Sequence, residues 1–472
     1  MYSDQLTVPS RLECRENVTE MSNNFKAPLS MNAYGRYMAD STQGDVSGNA
    51  ARLSLTSLSA NEILDSRGRP TLWITATLTD GREVSAGVPS GASTGSAEAV
   101  ELRDHDSRYG GFGVTRAAAN VEGPIADLLL GQTWNSLAEL DAALCTLDGS
   151  ADKSRLGANA IVGVSMAAAR GFAAIAGQPL WRWLTPRGVA PRLPVPHFNV
   201  INGGAHAANP LDFQEFMIAP MGAPSFPEAV RAGAEVYGQL TRILKERGLG
   251  TGLGDEGGFA PDITEPEDAL RLLCQAIETA GYRAGRDGVA IALDPAASEM
   301  YDGQRYRVGQ DRLSTQDMVD RYAAIIDEFP VWSIEDGVAE NDTPGWQAMT
   351  AALGDRIQLV GDDNFVTSAE LIAQGADSGV ANAALIKVNQ VGTVTETLAA
   401  LQVCRDRGFA AMVSHRSGET IDAFIADLVV GSGCGQLKSG APARGERVAK
   451  YNRLLAIAYA SGQLPYGIPD TM

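Results

Sequence analysis

Six short apolar runs in the second half of the chain each give way to a polar or charged residue. Val289–Ile291 leads through Leu293 to Asp294, Val331–Ile334 to Glu335 and Asp336, and Ile357–Val360 to Gly361 and Asp362. Ala383–Ile386 leads to Lys387, Ala410–Val413 to Ser414-His415-Arg416-Ser417, and Gly435–Leu437 to Lys438. Stretches with helical spacing separate most of them. Runs that are apolar throughout fit strands buried on both faces, as in a parallel sheet covered by helices. The pattern predicts an α/β fold with a (β/α) barrel, and in such a barrel the strand C-termini are where chemistry is done.

The barrel is expected over residues 189–472. Before it, residues 53–188 predict a smaller α+β capping unit. Its strands are expected at Leu53–Leu58, Leu72–Leu78 and Glu83–Val88, with a turn at Thr79-Asp80-Gly81, and its helices at Ala97–Arg103, Gly113–Leu130 and Ala158–Ile175. Pro186, Pro191, Pro194 and Pro196 crowd at the boundary between the two. Residues 1–52 are polar and without periodicity, and predict a disordered tail.

Composition narrows the function classes. The 472 residues carry a formal net charge of −19, which disfavours nucleic acid and anionic membranes as partners. An anionic substrate then needs a local basic pocket or metal ions. The five cysteines are scattered, with no Cys-x-x-Cys pair, which fits reduced thiols and a cytoplasmic location. The most apolar stretch, Ala158–Gly177, is mostly Ala and Gly and contains Arg170, so it reads as a packed core helix rather than a membrane span. No secretory signal pattern is visible at the N-terminus.

The candidate chemistry sits at the strand ends. Asp294, Glu335 and Asp362 offer hard oxygen donors suited to Mg²⁺, and zinc-type His or Cys clusters are missing from the sequence. Each acid taken singly also fits a helix cap. Lys387 and Lys438 end apolar strands, where neighbouring cations or a metal lower an amine pKa toward that of a general base; salt bridges to the same acids are the plainer reading. Arg416 and Ser417 suit a phosphate, helped by the N-terminus of a helix expected over Glu419–Val430. His415 alone reads as a core histidine, but Arg416 and Ser417 beside it reverse that preference. Three glycine-flanked loops complete the set: Asn202–His206 leading to Gln214–Met217, Gly254–Phe259 with Glu256 at its centre, and the small-residue loop Pro89–Gly95, whose composition suits a lid.

Taken together these strings resemble the enolase (phosphopyruvate hydratase) family. The likeness runs from about Leu53 to Leu464 and is carried by Ile63–Gly68, Ser90–Gly95, Lys153–Ser165, Asn202–His206, Gln214–Ile218, Gly254–Pro261, Ser333–Asp336, Leu385–Gly392, Ser414–Thr420 and Lys438–Arg444. The resemblance implies an enolase-type barrel whose first strands and helices are irregular in order, capped by an α+β domain. It implies reversible dehydration of 2-phospho-D-glycerate to phosphoenolpyruvate, with two Mg²⁺ per site, the second arriving with substrate. By position, Asp294, Glu335 and Asp362 match the first-metal ligands and Ser93 a ligand of the second. Lys387 matches the general base and Glu256 the general acid, supported by Glu215. Lys438 matches the residue on the substrate carboxylate, and Arg416 and Ser417 match the phosphate contacts. His206, Gln214 and His415 line the pocket. A base lysine with Mg²⁺ is the arrangement the superfamily is known for. Glu215 is expected to push the Glu256 pKa upward.

Several positions depart from the family pattern. Ala97 stands where a lid histidine is usual, Pro295 and Met300 flank a barrel loop, and Ile421 replaces an acid. Trp73 and Ala456 occupy the positions of an intersubunit Glu–Arg pair, so apolar contact in a homodimer or larger homo-oligomer is one reading and a shifted interface the other. Two further functions stay open on sequence grounds: a superfamily member acting on another carboxylate, and a paralogue kept as a scaffold.

Overall fold

The computed structural model describes residues 52–91, 95–462 and 464–469. The polar stretch before Arg52 lies outside these residues, as does Ser93.

Strands β1 (Leu55–Leu64), β2 (Pro70–Leu78) and β3 (Glu83–Gly87) form an antiparallel sheet. Alternation sends Leu72, Ile74, Ala76 and Leu78 of β2 inward. The helix Ala158–Ile175 packs there; a Cβ at its Gly163 would stand 2.6 Å from the Ile74 side chain, so only glycine permits this approach. That helix is long and apolar enough to cross a membrane, but 83% of it is buried inside the fold, as a core helix should be.

Three local expectations fail for identifiable reasons. Ala97–Arg103 is not helical, because its amides bond other segments: Ala99 N donates to Gln390 O at 2.8 Å, Val100 N to Asp152 O at 2.8 Å and Leu102 N to Asn159 Oδ1 at 3.1 Å. The helix expected over Gly113–Leu130 breaks into Thr115–Asn120 and Ala126–Leu129 around a wide turn, where Gly123 leaves helical geometry and Pro124 lacks a donor. β1 runs on to Leu64, past the expected end at Leu58, because its pairing with β2 persists to Leu64 opposite Pro70. A helix that the reading missed, Leu137–Asp148, is capped by Ser136, whose Oγ accepts from Glu139 N.

Eight strands close the barrel in chain order: β4 (Val195–Asn202), β5 (Glu215–Ala219), β6 (Ala290–Asp294), β7 (Val331–Glu335), β8 (Gln358–Gly361), β9 (Ala383–Ile386), β10 (Ala410–Ser414) and β11 (Gln436–Lys438). All pairs are parallel except those of β5, which runs antiparallel to both β4 and β6. Two helices, Phe226–Glu246 and Pro266–Thr279, follow β5 in succession. This is the irregular start the resemblance implied. Reversal of β5 brings its beginning, Glu215, to the rim where the other strands end, opposite Asp294.

The cap is tied to this rim. Ser90 and Gly418 exchange backbone hydrogen bonds of 2.7 and 2.9 Å, and Asp422 accepts from both Gly87 N and the Arg170 guanidinium.

Candidate active site

The predicted acids and lysines converge at the barrel mouth. Lys438 Nζ lies 2.8 Å from both Glu335 carboxylate oxygens, 3.1 Å from Asp294 Oδ2 and 3.1 Å from Glu215 Oε2. All four residues are buried. Their oxygens therefore point at one cation-sized position that an ammonium here serves. Asp362 bonds the Lys387 ammonium through Oδ2 and accepts from Gln390 Nε2 at 2.8 Å through Oδ1. Asp336 accepts from Asp362 N (2.9 Å) and Asp363 N (3.1 Å), and holds this bridge with φ at +42°, a strained value for a non-glycine residue.

The donor set fits a hard divalent cation. Asp294, Glu335 and Asp362 are carboxylates, the described residues lining the cleft include no thiol, and the acids' charges already call for positive compensation. Ligand oxygens of Asp336, Asp362 and Asp363 lie within 4.8 Å of one another, close enough to share an ion. Asp336 and Asp363 were not among the predicted ligands. The Glu-Asp and Asp-Asp doublets at the strand ends were the available signal.

Two electrostatic expectations are corrected. Lys387 is held above its ordinary pKa: burial opposes its charge, as do Arg416 and Lys438, but the surrounding carboxylates, Asp362 foremost and Glu335 with it, leave the net shift upward. The lowered amine expected from neighbouring cations is absent because the nearest charged group is an acid. For the acidic pair, burial and the Glu256 charge push Glu215 well up. Burial presses the same way on Glu256, but the His415 and His206 rings facing it and the Arg447 guanidinium outweigh burial and set this acid well below the ordinary carboxylate range. The two shifts run opposite to the expected order, with Glu215 raised and Glu256 lowered.

Glu256 is closely held. Asn199 Nδ2 donates to its Oε2 at 2.9 Å, and Oε1 lies 3.3 Å from His415 Nε2 and 3.7 Å from His206 Nδ1. His206 Nδ1 is also 3.7 Å from Glu215 Oε1. Gln214 is buried beside Glu215 and lines the same cleft. Burial lowers the His415 pKa to about 4, so its imidazole is neutral near pH 7.

On the third side, Arg416 presents its fork to Glu98 of the cap at 2.9 and 3.2 Å and touches Asn389 Oδ1 at 3.2 Å. Ser417 stands next to it, and its carbonyl accepts from Ser66 Oγ at 3.2 Å. The helix expected to start at Glu419 begins at Phe424 instead, and its first amide, that of Phe424, is taken by Asp422 Oδ1 at 2.7 Å, so the N-terminus of this helix does not serve the Arg416–Ser417 loop. Charged residues on the buried stripe of the last helix, Gly445–Ser461, also escaped the sequence reading: Arg447 and Lys450, three apart, both reach the loop after β10.

His206, Gln214, Glu215, Glu256, Asp294, Asp362, Lys387, His415, Arg416, Ser417 and Lys438 line a single cleft with about 420 Å³ of empty space. An amine, an acidic pair, a cluster of metal-type carboxylates and an arginine fork face one another there.

Comparison with known proteins agrees over both parts of the chain. Residues 55–184 match the model of the enolase N-terminal domain, and residues 190–465 that of the enolase C-terminal TIM barrel domain. A protein named enolase from Rubrobacter xylanophilus is 53% identical over 412 residues, 87% of this chain and 95% of its own length. An enolase from Mycobacteroides abscessus is 53% identical over 409 residues, 86% of this chain and 95% of its own. With both domains matched in order and the predicted residues gathered in one cleft of the barrel, this chain belongs to the enolase family.

Proposed function

We propose that this chain catalyses the reversible, Mg²⁺-dependent dehydration of 2-phospho-D-glycerate to phosphoenolpyruvate in glycolysis and gluconeogenesis. The observation that carries the proposal is the placement of Lys387 and the Glu215–Glu256 pair in one buried cleft, with Lys438 and its acids beside both. Removal of a carbon-bound proton and departure of a hydroxyl need a base and an acid at separate points of one small substrate.

Asp294, Glu335 and Asp362 would hold one Mg²⁺, and a second would arrive with substrate, with Ser93 among its ligands. Bound there, magnesium supplies positive charge beside the substrate carboxylate and draws on the Asp362 charge that otherwise keeps Lys387 protonated. Arg416 and Ser417 bind the phosphate, the arginine exchanging Glu98 for a phosphate edge. Lys438 lies against the substrate carboxylate, and His206, Gln214 and His415 shape the pocket around the departing hydroxyl. Neutral Lys387 Nζ takes the C2 proton. The charge that builds on the carboxylate is met by the Lys438 ammonium in a water-poor site, where such attraction is strong. The hydroxyl at C3 then leaves with the proton held by the Glu215–Glu256 pair, delivered through Glu256. In the reverse direction the same groups add water.

A cytoplasmic homodimer or larger homo-oligomer is part of the proposal. Exposed Ile421 and Tyr459, with exposed Ala456 one helical turn from Tyr459, support an apolar contact between copies. The test of function is ultraviolet absorbance of phosphoenolpyruvate with purified protein and 2-phosphoglycerate, with and without EDTA. Signal growth that EDTA abolishes is expected; no Mg²⁺-dependent signal refutes the proposal and favours a binding role.

A further inference from the structure

The Asp65-Ser66-Arg67-Gly68 loop of the cap and Arg447 have no part in the chemistry above, yet they meet behind its two least tolerant elements. The Arg447 guanidinium is wholly buried. Its Nη1 donates to His415 Nδ1 and to Arg416 O, both at 2.6 Å. Its Nη2 donates to Ser417 O at 2.6 Å and reaches Asp255 O at 3.2 Å and Ser66 Oγ at 3.3 Å. Ser66 Oγ in turn donates to Ser417 O and accepts from Glu419 N. Gly440, at φ +73°, lets the chain pass between Glu256 O and the Arg447 stem; a Cβ there would stand 2.7 Å from the first and 2.9 Å from the second.

A guanidinium can only donate, so the ring nitrogen facing it must accept. His415 Nδ1 is then bare, and in a neutral ring the proton sits on Nε2, the atom 3.3 Å from Glu256 Oε1. We propose that Arg447, seated against Ser66 of the cap, is a positioning residue: it sets the Nε2–H tautomer of His415, so that the ring turns its proton toward Glu256, and it clamps the Glu256 loop and the Arg416–Ser417 loop to one rigid fork. The burial that keeps His415 neutral is consistent with this. The inference rests on the enolase reading for its kinetic consequence, but not for the tautomer.

Arg447→Met removes the donors and keeps much of the apolar stem. Delivery of the proton to the leaving hydroxyl suffers, while abstraction by Lys387 on the far side does not. Elimination therefore falls on the order of 10²-fold, the scale of one acid–base contribution, and exchange of the substrate C2 proton with solvent changes only a few-fold. Arg447→Lys keeps one donor and recovers part of the elimination rate.

The experiment combines that rate comparison with long-range ¹H–¹⁵N correlation of histidine rings in the full chain. The sequence has only four histidines, and the His415 signals are assigned by their loss in His415→Asn. The parent protein should show a protonated Nε2 and a bare Nδ1 at His415, and Arg447→Met should mix or invert them. A proton on Nδ1 in the parent overturns the assignment without any variant having to fold. So does an unchanged tautomer in Arg447→Met, or a parallel fall of exchange and elimination. The expected tautomer in a parent protein that shows no Mg²⁺-dependent exchange would support this assignment while refuting the enolase activity.

Discussion

Replacing Lys438 with Met removes the one ammonium among Asp294, Glu335 and Glu215 and leaves three buried carboxylates facing each other. At the observed 2.8–3.1 Å and an effective dielectric of about 20, each contact is worth about 5–6 kcal/mol of attraction before desolvation is counted. Desolvation and mutual repulsion of the acids cancel most of that sum. Removing one member of such a buried cluster costs about 3–5 kcal/mol, because the remaining charges have no partner. The loss should depend on pH in a definite sense. Burial and neighbouring charge already raise Glu215 and Glu335 above the carboxylate range, so the folded state binds their protons more tightly than the unfolded chain. The penalty in Lys438→Met therefore shrinks as pH falls through the folded pKa values and is full above them. Urea unfolding in EDTA, followed by tryptophan fluorescence, reads this directly. We expect a loss of about 4 kcal/mol near pH 8 and a clearly smaller one near pH 5. A loss below about 1 kcal/mol near pH 8, or one that is flat with pH, would refute the reasoning.

Other outcomes follow from the same geometry. Burial lifts the Asp141 pKa to about 6, so its ionisation costs the fold up to about 3 kcal/mol above that pH. Asp141→Asn keeps an acceptor for Thr395 and should raise the unfolding free energy above about pH 6 while gaining nothing below about pH 4. Arg170 holds the Asp422 pKa below the ordinary range and joins cap to barrel; Asp422→Ala should lower stability by about 3 kcal/mol near neutral pH, less in acid where the parent carboxylate also protonates, as thermal unfolding across pH will show. Gly418→Ala drives a methyl into the Asp65 carboxylate and the Ser90 carbonyl, so kcat/KM should fall through a displaced cap, with the loss read by steady-state kinetics. Saturating Mg²⁺ should raise unfolding free energy by about 2.7 kcal/mol at a hundredfold excess over Kd, and EDTA should reverse it; no shift would deny the carboxylates a metal.

Most of the barrel and its rim can be read from strand ends alone, because a strand buried on both faces has a continuous apolar signature and its first polar residue marks the mouth. Asp294, Glu335, Lys387 and Lys438 were found that way. Glu215 was not available to that rule: β5 is reversed, so its beginning rather than its end faces the site, and although the Gln214–Met217 run stood out, only the likeness to a family gave Glu215 a role. Helices whose amides are claimed by distant segments, as at Ala99 and Val100, carry helical spacing without helical structure. Long-range contacts also decide charge. Nothing local to Glu256 announces that His415 and His206 face it, or that Asp362 bonds Lys387. Arg447 was passed over because a buried arginine on a helix looks like an ordinary amphipathic position until its partners are in place.

The central claim is a division of labour between Lys387 and Glu256, which a single pair of variants separates. In deuterated buffer with Mg²⁺ and 2-phosphoglycerate, Glu256→Gln should still exchange the C2 proton while forming almost no phosphoenolpyruvate, and Lys387→Ala should do neither with its fold intact. Exchange that survives in Lys387→Ala, or that disappears in Glu256→Gln along with elimination, would contradict the account.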